Sequence, residues 1–313
     1  MEKITIEEAR IAGICACVPR IVVANEAKVA EATGIVTRRI AAEGTTVVDL
    51  CVAAAEKVLA ETNAKPEEFG AILFVSFTQP NRMPAAACEA QARLEFPKGI
   101  IAFDVSLACS GWGYGLYLAA LLARQTGKKT LLLDGDVQSA FIGEGDAATA
   151  PLLADGGTAT VIENCSDCLI VRLPWQFAFA ADGEKGAALK LADGGPIQMD
   201  GFGVFKFVAT DVVSYIKEFV LHCSPSPSTF TFVPHQPNAY MVRQLAKSAG
   251  IEEARTAISC DELGNLSSAS VPVTIAWRGV RGPVLFAGFG GGLSVSIGLI
   301  GLDDGCRLSV LEV

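Results

Sequence analysis

Strand-like runs of aliphatic and β-branched residues alternate along this chain with runs of helical composition, and the alternation occurs twice. Before residue 163 the strand-like runs include Ile11–Val18 and Ala71–Phe77, with the helical run Thr46–Thr62 between them. The rhythm returns in the second half and ends in a strand-glycine-strand unit at Val284–Leu299. Such alternation is typical of α/β proteins. Because no Pro- or Ser-rich linker separates the halves, we predict an internally duplicated fold, residues 1–163 and 164–313, around one core.

The composition limits what the chain can bind. Of its 313 residues, 51% are hydrophobic and 19% are charged, which allows a large core and argues against disorder. The net charge of −9 and the pI near 4.9 argue against nucleic acid or an anionic membrane as a partner of the whole protein. A local basic patch could still receive an acidic partner protein.

The chain carries no pattern typical of secretion, membrane insertion or zinc binding. Met1–Arg10 is mostly charged and polar, so we expect a cytoplasmic protein. The uncharged stretches Val105–Ala123 and Gly282–Leu302 are interpreted as a core helix and as two strands around a glycine turn. The ten cysteines lack the paired spacing of a zinc site, so most are expected to be buried free thiols.

The segment Asp104-Val-Ser-Leu-Ala-Cys109-Ser-Gly joins the end of a predicted strand to an alanine- and leucine-rich helix. A cysteine at a helix N-terminus lies close to unpaired N–H groups and to the positive end of the helix dipole, both of which favour the thiolate. A thiolate attacks acyl thioesters. Taken alone, however, a cysteine at such a junction is more often a small buried residue.

Two further segments contain polar residues at the ends of predicted elements. Phe232-Val-Pro-His235 places an imidazole at the carboxyl edge of a strand, where α/β sheets hold functional groups. The other histidine, His222, ends an amphipathic helix and is interpreted as a helix-terminal residue. Gly264-Asn265 and the glycine run after Phe289 each fit a simple turn as well as a site. Taken singly, these residues leave structural and chemical roles open.

Taken together in this order, the segments resemble β-ketoacyl-ACP synthase III, where ACP is acyl carrier protein, and more broadly the thiolase-fold condensing enzymes. The similarity runs from about Ile11 to Ile300. Its motifs are Pro84-Ala-Ala-Ala-Cys88, Ala108-Cys109-Ser-Gly, Ala154-Asp-Gly-Gly-Thr-Ala-Thr160, Met199-Asp-Gly-Phe-Gly-Val-Phe-Lys206, Pro234-His-Gln-Pro-Asn238, Gly264-Asn-Leu-Ser-Ser-Ala-Ser-Val-Pro272 and the triple glycine. The resemblance implies a thiolase fold, in which two pseudo-duplicated α/β halves form a layered α-β-α-β-α core.

The resemblance also implies a role for each candidate residue. Cys109 would take an acyl group from a thioester, with the backbone N–H groups of Cys109 and Gly291 as the oxyanion hole. His235 and Asn265 would donate hydrogen bonds to the carbonyl of a malonyl extender and stabilise the enolate left by decarboxylation. The substrates would be acyl-CoA or acyl-ACP and a malonyl thioester, and no metal or redox cofactor is expected.

The chain departs from the family where the family binds the nucleotide of CoA. A tryptophan and three arginines of the family are replaced, in chain order, by Lys28, Ala32, Ala147 and Tyr240. Stacking on adenine and pairing with phosphate are therefore lost at these positions. Lys28, Arg38 and Arg39 are the cations that we expect to compensate.

Other family features concern partners. Lys206 and Lys247 match positions of the family's docking patch for acyl carrier protein, and Arg243 lies one helical turn before Lys247. By resemblance the protein is a homodimer, and the loop containing Met83 reaches across the interface to the end of the partner's acyl pocket. The segment Gly301–Val313 extends past the family's usual end, and the sequence suggests no role for it.

Two other functions remain open at this point. Some relatives pass the acyl group from cysteine to a hydroxyl or amine, and Cys109 with His235 fits that reaction too. Asn265 favours condensation, because enolate stabilisation needs two donors whereas simple transfer needs one base. A non-catalytic partner subunit is the third reading, and retention of Cys109 argues against it. Acyl chain length, extender and pathway are not given by the sequence.

Overall fold

The computed structural model describes residues 1–165, 173–223 and 230–313. The strands in these ranges are, in chain order, β1 (Ile4–Ile6), β2 (Ala9–Val18), β3 (Ile21–Ala24), β4 (Thr37–Ile40), β5 (Phe69–Val75), β6 (Ile101–Val105), β7 (Lys129–Val137), β8 (Asp155–Asn164), β9 (Trp175–Ala181), β10 (Leu189–Leu191), β11 (Ile197–Met199), β12 (Thr231–Pro234), β13 (Gly282–Gly290), β14 (Ser294–Leu302) and β15 (Arg307–Glu312).

The helices alternate with these strands as the sequence predicts. They are α1 (Ala27–Thr33), α2 (Val47–Thr62), α3 (Ala86–Arg93), α4 (Gly111–Thr126), α5 (Gly201–Phe207), α6 (Val213–Leu221), α7 (Ala239–Ala249), α8 (Cys260–Leu263) and α9 (Ser270–Arg278). The single helix predicted near residues 203–220 is α5 and α6 joined by a π-helical turn at Val208–Val212. The strand predicted at Leu169–Leu173 falls, apart from Leu173, outside the described residues.

Two large sheets form the framework. The first has the strand order β15-β2-β8-β7-β5-β6, and the second has the order β1-β9-β14-β13-β12. Each sheet is built mainly from one half of the sequence, but the terminal strands cross over. The N-terminal strand β1 pairs with β9 in the second sheet, and the C-terminal strand β15 pairs with β2 in the first.

Helices cover both faces of each sheet. Residues of α4 and α9 belong to the core between the sheets, where the ring of Trp112 meets that of Phe286 edge to face at 5.2 Å between centroids. Residues of α2 and α3 pack on the outer face of the first sheet, and those of α6 and α7 pack on the outer face of the second. This is the layered α-β-α-β-α arrangement that the resemblance predicts.

Local signals explain where the outer helix α2 begins and ends. The Thr46 hydroxyl accepts a hydrogen bond from the Asp49 N–H, and the Asp49 carboxylate accepts one from the Thr46 N–H. This capping box satisfies two donors that the first helical turn leaves unpaired. At the other end Asn63 adopts the left-handed conformation with φ of 51°, which stops the helix.

The C-terminal segment that the sequence leaves without a role completes the first sheet. Strand β15 runs parallel to β2, and the Val313 N–H donates to the Val18 carbonyl. The Arg39 guanidinium lies 3.2 Å from the Glu312 carboxylate and links the strand to the antiparallel pair β3–β4. The tail is therefore an integral edge strand.

Two further predictions from the sequence concern buried segments. The uncharged stretches form α4 and the β13–β14 pair, as predicted, and no helix in the described ranges is long and apolar enough to cross a bilayer. Six cysteines are buried free thiols: Cys15, Cys17, Cys51, Cys109, Cys260 and Cys306. Cys165 differs, because it is disulfide-bonded.

Candidate active site

Cys109 lies in the short connection between the carboxyl end of β6 and the first turn of α4, as predicted, and its side chain is buried. Strand β14 holds the connection in place. The Ser110 hydroxyl lies 2.7 Å from the Ser294 hydroxyl, and the Ser296 hydroxyl donates to the Ser110 carbonyl at 2.8 Å. The nucleophile segment is thus fixed to the second sheet by side chains from that sheet.

The predicted oxyanion donors converge on the thiol. Hydrogen bonds from the backbone N–H groups of Cys109 and Gly291 both favour its thiolate. The turn that contains Gly291 is held by the Ser294 hydroxyl, which donates to the Gly291 carbonyl at 2.8 Å. Ser294 therefore connects the two segments that contribute the donors.

Gly290, which precedes this turn, has to be a glycine because its backbone lies close to Cys109. A Cβ atom on Gly290 would lie 2.8 Å from the Cys109 Cβ and 2.9 Å from its Sγ. A Cβ atom essentially never lies this close to a non-bonded carbon or sulfur atom. Glycine at this position therefore lets the backbone of β13 approach Cys109 closely.

The ionisation of Cys109 differs from the sequence-based expectation. The helix N-terminus is expected to lower the thiol pKa, but burial raises the pKa of Cys109 to about 12. The Ser267 hydroxyl and the two backbone N–H groups oppose this rise, and the charge of Asp136 adds to it. Desolvation is the larger effect because the thiol is fully enclosed. Burial therefore favours the thiol form over the thiolate.

His235 follows β12 at the carboxyl edge of the second sheet, and its backbone N–H donates to the Ala287 carbonyl at 2.7 Å. The imidazole meets the ring of Phe289 edge to face, with 5.3 Å between centroids. Burial lowers the pKa of His235 to about 3, and a hydrogen bond to the Ser267 backbone opposes the shift. The imidazole is therefore neutral near pH 7 and keeps one N–H as a donor.

Asn265 is buried, and its backbone is fixed on both sides. Its N–H donates to the Leu152 carbonyl, and its carbonyl accepts from the Ala154 N–H and from the Gln138 amide at 2.7 Å. The side-chain Oδ1 accepts from the Ser267 N–H at 2.9 Å. Among the described residues the Asn265 Nδ2 has no hydrogen-bond partner, so this amide is oriented to donate.

The residue before Asn265 must be a glycine. Gly264 has φ of +80°, and a Cβ there would lie 2.7 Å from the Ala154 Cβ and 2.9 Å from the Arg38 Cγ. Only glycine adopts this conformation without strain and leaves room for both neighbours. The Gly-Asn pair is thus a turn, as its sequence suggests, and the turn presents the asparagine to the site.

Ser267 is a site residue that the sequence analysis missed. Its hydroxyl lies 3.9 Å from the Cys109 Sγ, its N–H fixes Asn265, and its backbone contacts His235. Its φ of 53° is uncommon for a residue with a side chain, and such strain often marks functional sites. A serine in a small-residue run carries no pattern of its own, so the sequence could not single it out.

Two buried aspartates at the end of β7 were also missed. Asp134 and Asp136 are both fully buried, and burial raises the pKa of each, that of Asp136 to about 7. One oxygen of Asp136 accepts from the Ser76 hydroxyl, the Phe77 N–H and the Thr78 hydroxyl, at 2.9, 3.0 and 3.1 Å respectively. The signal was available: carboxylates at the carboxyl end of an apolar strand are unusual unless they are functional or paired.

The residues predicted for the acyl pocket and for carrier-protein docking, called the entrance of the site below, are exposed. Met83 is 86% exposed in this single chain, and the neighbouring Arg82 forms an ion pair with Asp193 in the β10–β11 turn. Lys206 on α5 and Lys247 on α7 are exposed, and α7 packs against the π-helical turn that follows α5. Arg243 is ion-paired with Glu253 at 2.9 Å, so its charge is partly compensated.

The four positions where the family's nucleotide-binding groups are replaced all lie on the surface. Lys28, Ala32, Ala147 and Tyr240 are exposed, and Tyr240 is 53% accessible. Arg38 and Arg39 were expected to replace the lost phosphate contacts. Both guanidinium groups instead have hydrogen-bond partners within the chain. The Arg38 guanidinium donates to the Asn25 side chain and to the Leu153 carbonyl, and that of Arg39 donates to the Pro19 carbonyl and to Glu312.

Comparison with known proteins agrees with this geometry. Residues 103–176 match the family model described as 3-oxoacyl-[acyl-carrier-protein (ACP)] synthase III, and residues 229–302 match the one described as its C terminal. The chain is 32% identical over 273 residues to beta-ketoacyl-[acyl-carrier-protein] synthase III of Aquifex aeolicus, covering 84% of this chain and 86% of that protein. It is 31% identical over 302 residues to the protein of the same name from Rhodospirillum centenum, covering 90% and 92%.

A solved structure shows the same architecture over the whole chain. The 3-oxoacyl-(acyl-carrier protein) synthase of Burkholderia xenovorans LB400 superimposes with a TM-score of 0.93 at 28% identity, covering 100% of this chain and 99% of that one. The thiolase fold, the order of the motifs and the identity to full-length relatives agree. This chain belongs to the β-ketoacyl-ACP synthase III family.

Proposed function

We propose that this protein catalyses the decarboxylative Claisen condensation of an acyl thioester with a malonyl-type extender through an acyl-Cys109 intermediate. In the first half-reaction the Cys109 sulfur attacks the thioester carbonyl, and the donor thiol leaves. The N–H groups of Cys109 and Gly291 support this step, because both lie where they favour negative charge at the Cys109 sulfur, beside the carbonyl that it would attack.

In the second half-reaction the malonyl thioester loses CO₂, and its electrons pass to the thioester carbonyl as an enolate. His235 and Asn265 donate hydrogen bonds to that oxygen. The enolate carbon then attacks acyl-Cys109 and releases the β-ketoacyl product together with the free thiol.

The observation that carries the proposal is the orientation of Asn265. Its Oδ1 is engaged by the Ser267 N–H, which leaves Nδ2 to donate into the site. We assign the single N–H of the neutral His235 imidazole as the second donor. Two hydrogen-bond donors can stabilise the enolate oxygen, and this step requires no base. Burial lowers the pKa of His235 and so weakens it as a base, which favours condensation over transfer to a hydroxyl or amine.

The substrates and partners follow from the family and from the surface of the chain. We propose acyl carrier protein as the partner, because the related proteins are named as acyl-carrier-protein synthases and because Lys206 and Lys247 are exposed. Carrier-bound donors are favoured over CoA thioesters, since the replaced nucleotide contacts carry no compensating arginine. The proposed reaction draws on the thioesters alone, without a metal or redox cofactor.

Two further aspects belong to the same proposal. A cytoplasmic homodimer is the proposed state, in which the exposed Met83 contributes to the acyl pocket of the partner chain. The exposure of Met83 in the single chain supports this arrangement. A flexible thioether at the end of a pocket suits acyl groups of several lengths.

The experiment is CO₂ release from carboxyl-labelled malonyl-ACP by the wild type, Asn265→Ala and Asn265→Asp. Loss of one oxyanion donor costs about 10²–10³ in rate, so both variants should lose most decarboxylation. Asn265→Asp is the matched variant, because it keeps the oxygen that accepts from Ser267 but cannot donate when ionised. Acylation of Cys109 should persist in both, since it uses backbone donors.

The outcome that contradicts the proposal is equally clear. The wild type would be acylated at Cys109 but would release no CO₂, and the acyl group would appear on an alcohol or amine acceptor. In that case Asn265→Ala would leave acyl transfer nearly unchanged.

A further inference from the structure

Two sets of buried hydrogen bonds hold the proposed donors of the site from behind. One set ends at the carbonyl of Gly291, whose N–H is a proposed oxyanion donor. The other ends at the carbonyl of Asn265, whose side-chain amide is a proposed donor to the enolate. The side chains that make these bonds have no role assigned to them in the reaction so far.

The first set is a chain of two serine hydroxyls between the Cys109 segment and the Gly291 turn. The Ser294 hydroxyl donates to the Gly291 carbonyl at 2.8 Å. Because a hydroxyl has one proton, Ser294 has to accept from the Ser110 hydroxyl, which lies 2.7 Å away. Ser110 follows Cys109 directly, and both serines are buried. The chain therefore couples the two segments that contribute the proposed oxyanion donors.

These two segments lie backbone against backbone. A Cβ on Gly288 would lie 2.9 Å from the Cys109 carbonyl oxygen, and one on Gly290 would lie 2.9 Å from the Cys109 Sγ. Glycine has no side chain that could fix the alignment of the segments by packing at these points. The serine hydroxyls provide polar links instead, and that of Ser296 adds a bond to the Ser110 carbonyl at 2.8 Å.

The second set comes from the Gln138 amide, which is buried just after β7. Its Nε2 donates at 2.7 Å to the Ala154 carbonyl and at 2.7 Å to the Asn265 carbonyl. A side-chain amide nitrogen carries two protons, so both bonds form together. The Ala154 N–H donates to the same Asn265 carbonyl at 2.9 Å. Gln138 thus fixes the backbone of Asn265 to the start of β8.

We propose that Ser294, together with Ser110, is a positioning residue for the acylation of Cys109, and that Gln138 is a positioning residue for decarboxylation of the extender. The proposal rests on the proposed function, because it assigns each support to one of its half-reactions. Each side chain acts through a donor, Gly291 or Asn265, that it holds in place. Donors have to be held within about 0.5 Å of their working position, so loss of a support lowers the rate.

The test measures both half-reactions on the same sample of each variant. Acylation is the single-turnover rate at which the Cys109 peptide gains the acyl mass from acyl-ACP. Decarboxylation is the rate of CO₂ release when the loaded enzyme, freed of donor, is mixed with carboxyl-labelled malonyl-ACP. The ratio of the two rates is the readout, because an inactive or unfolded fraction lowers both signals alike.

The two supports should give opposite patterns. Ser294→Ala removes both bonds of the serine chain and should slow acylation about tenfold or more, with CO₂ release within about twofold of the wild type. Gln138→Met keeps the length of the side chain without its donors, and should slow CO₂ release about tenfold or more while acylation stays within about twofold. Ser294→Thr keeps the hydroxyl and should restore most of the acylation rate.

Thr274→Val is the matched control for the serine chain. The Thr274 hydroxyl donates to the Ser270 carbonyl at 2.6 Å and accepts from the Ser259 hydroxyl at 2.7 Å, which is the same connectivity in another place. This chain ends at neither donor, so Thr274→Val should leave the ratio unchanged. Equal slowing of both half-reactions by Ser294→Ala or by Gln138→Met, or slowing of neither, overturns the role of that residue.

Further variants keep the test decisive if the first ones do not fold. Ser110→Ala removes only one bond of the serine chain and should slow acylation about threefold or more, and an unchanged rate contradicts the link. Gln138→Asn shortens the amide by one methylene and should slow CO₂ release in the same selective way. No CO₂ release by the wild type would contradict the proposed function and with it the role of Gln138, whereas acylation of Ser294→Ala would still decide the role of Ser294.

Discussion

The floor of the site and its entrance are built in different ways. Cys109, His235 and Asn265 are buried, and each is held by hydrogen bonds or ring contacts with neighbouring elements. At the entrance, Met83 and Lys247 are exposed. A dense set of contacts fixes geometry and shifts pKa values, whereas an exposed surface contributes through charge and shape. Under the proposed function, the floor would determine the reaction, and the entrance would determine which thioester is presented to it.

The largest effect on rate is expected at Gly290, where the floor leaves no space for a side chain. Gly290→Ala places a methyl group within 3 Å of Cys109, which displaces either the nucleophile or the oxyanion turn. A displacement of about 1 Å in an active site can cost about 10² in rate. We expect a loss of this order in the acylation rate of Cys109, measured by mass spectrometry under single-turnover conditions.

Gly99→Ala is the control for this comparison. Gly99 lies before β6, and a Cβ there meets no atom within 4 Å. Its acylation rate should match that of the wild type. Wild-type acylation by Gly290→Ala would mean that the floor is less tightly built than its contacts indicate.

A second prediction uses the pH dependence of stability to test how strongly the floor is desolvated. The pKa of His235 is about 3 in the folded chain but near 6.5 when unfolded, so below about pH 6.5 the unfolded state binds the extra proton. The folded state therefore loses about 1.4 kcal/mol per pH unit as the pH falls from about 6.5. His235→Gln should remove this loss in urea unfolding experiments.

The matched control is the other histidine of the chain. His222 is exposed at the end of α6, where its Nδ1 lies 2.7 Å from the Glu218 carbonyl. If His222→Gln and His235→Gln change the pH dependence of unfolding equally, burial of His235 does not have the effect assigned to it.

The smallest effect is expected at the entrance. Lys247→Glu reverses one exposed charge, and such reversals change association with an acidic partner by roughly tenfold or less. We expect a higher KM for carrier-bound donors with unchanged turnover of small thioesters. Lys65→Glu, at an exposed lysine near the amino end of β5, is the control. An equal effect of both variants would show that net charge, not a docking patch, governs carrier use.

The sequence predicted the floor better than it predicted the contacts behind it. Cys109 and His235 lie at ends of elements whose hydrophobic pattern is clear, so their positions follow from the α/β rhythm together with the family motifs. Ser267 and Asp136 depend on tertiary contacts between β7, the segment after β5 and the turn after Asn265. No local pattern encodes such a meeting of three segments.

Local sequence patterns also could not predict which sheet the first and last strands join. Strands β1 and β15 exchange between the sheets, because each pairs with a strand remote in sequence. The pKa of the Cys109 thiol was also not predictable from local sequence. Helix position predicted a lowered value, but the degree of burial, which depends on the packed structure, dominates.

The most direct test of the account is a single-turnover chase of the acylated enzyme. Cys109 is first loaded with an acyl group, freed of excess donor, and then mixed with malonyl-ACP. The account predicts that the acyl mass leaves the Cys109 peptide as one equivalent of CO₂ appears, and that the carrier holds a β-ketoacyl group two carbons longer than the acyl group loaded. Loss of the acyl group as free acid or as an ester or amide, with malonyl-ACP unconsumed, would contradict it.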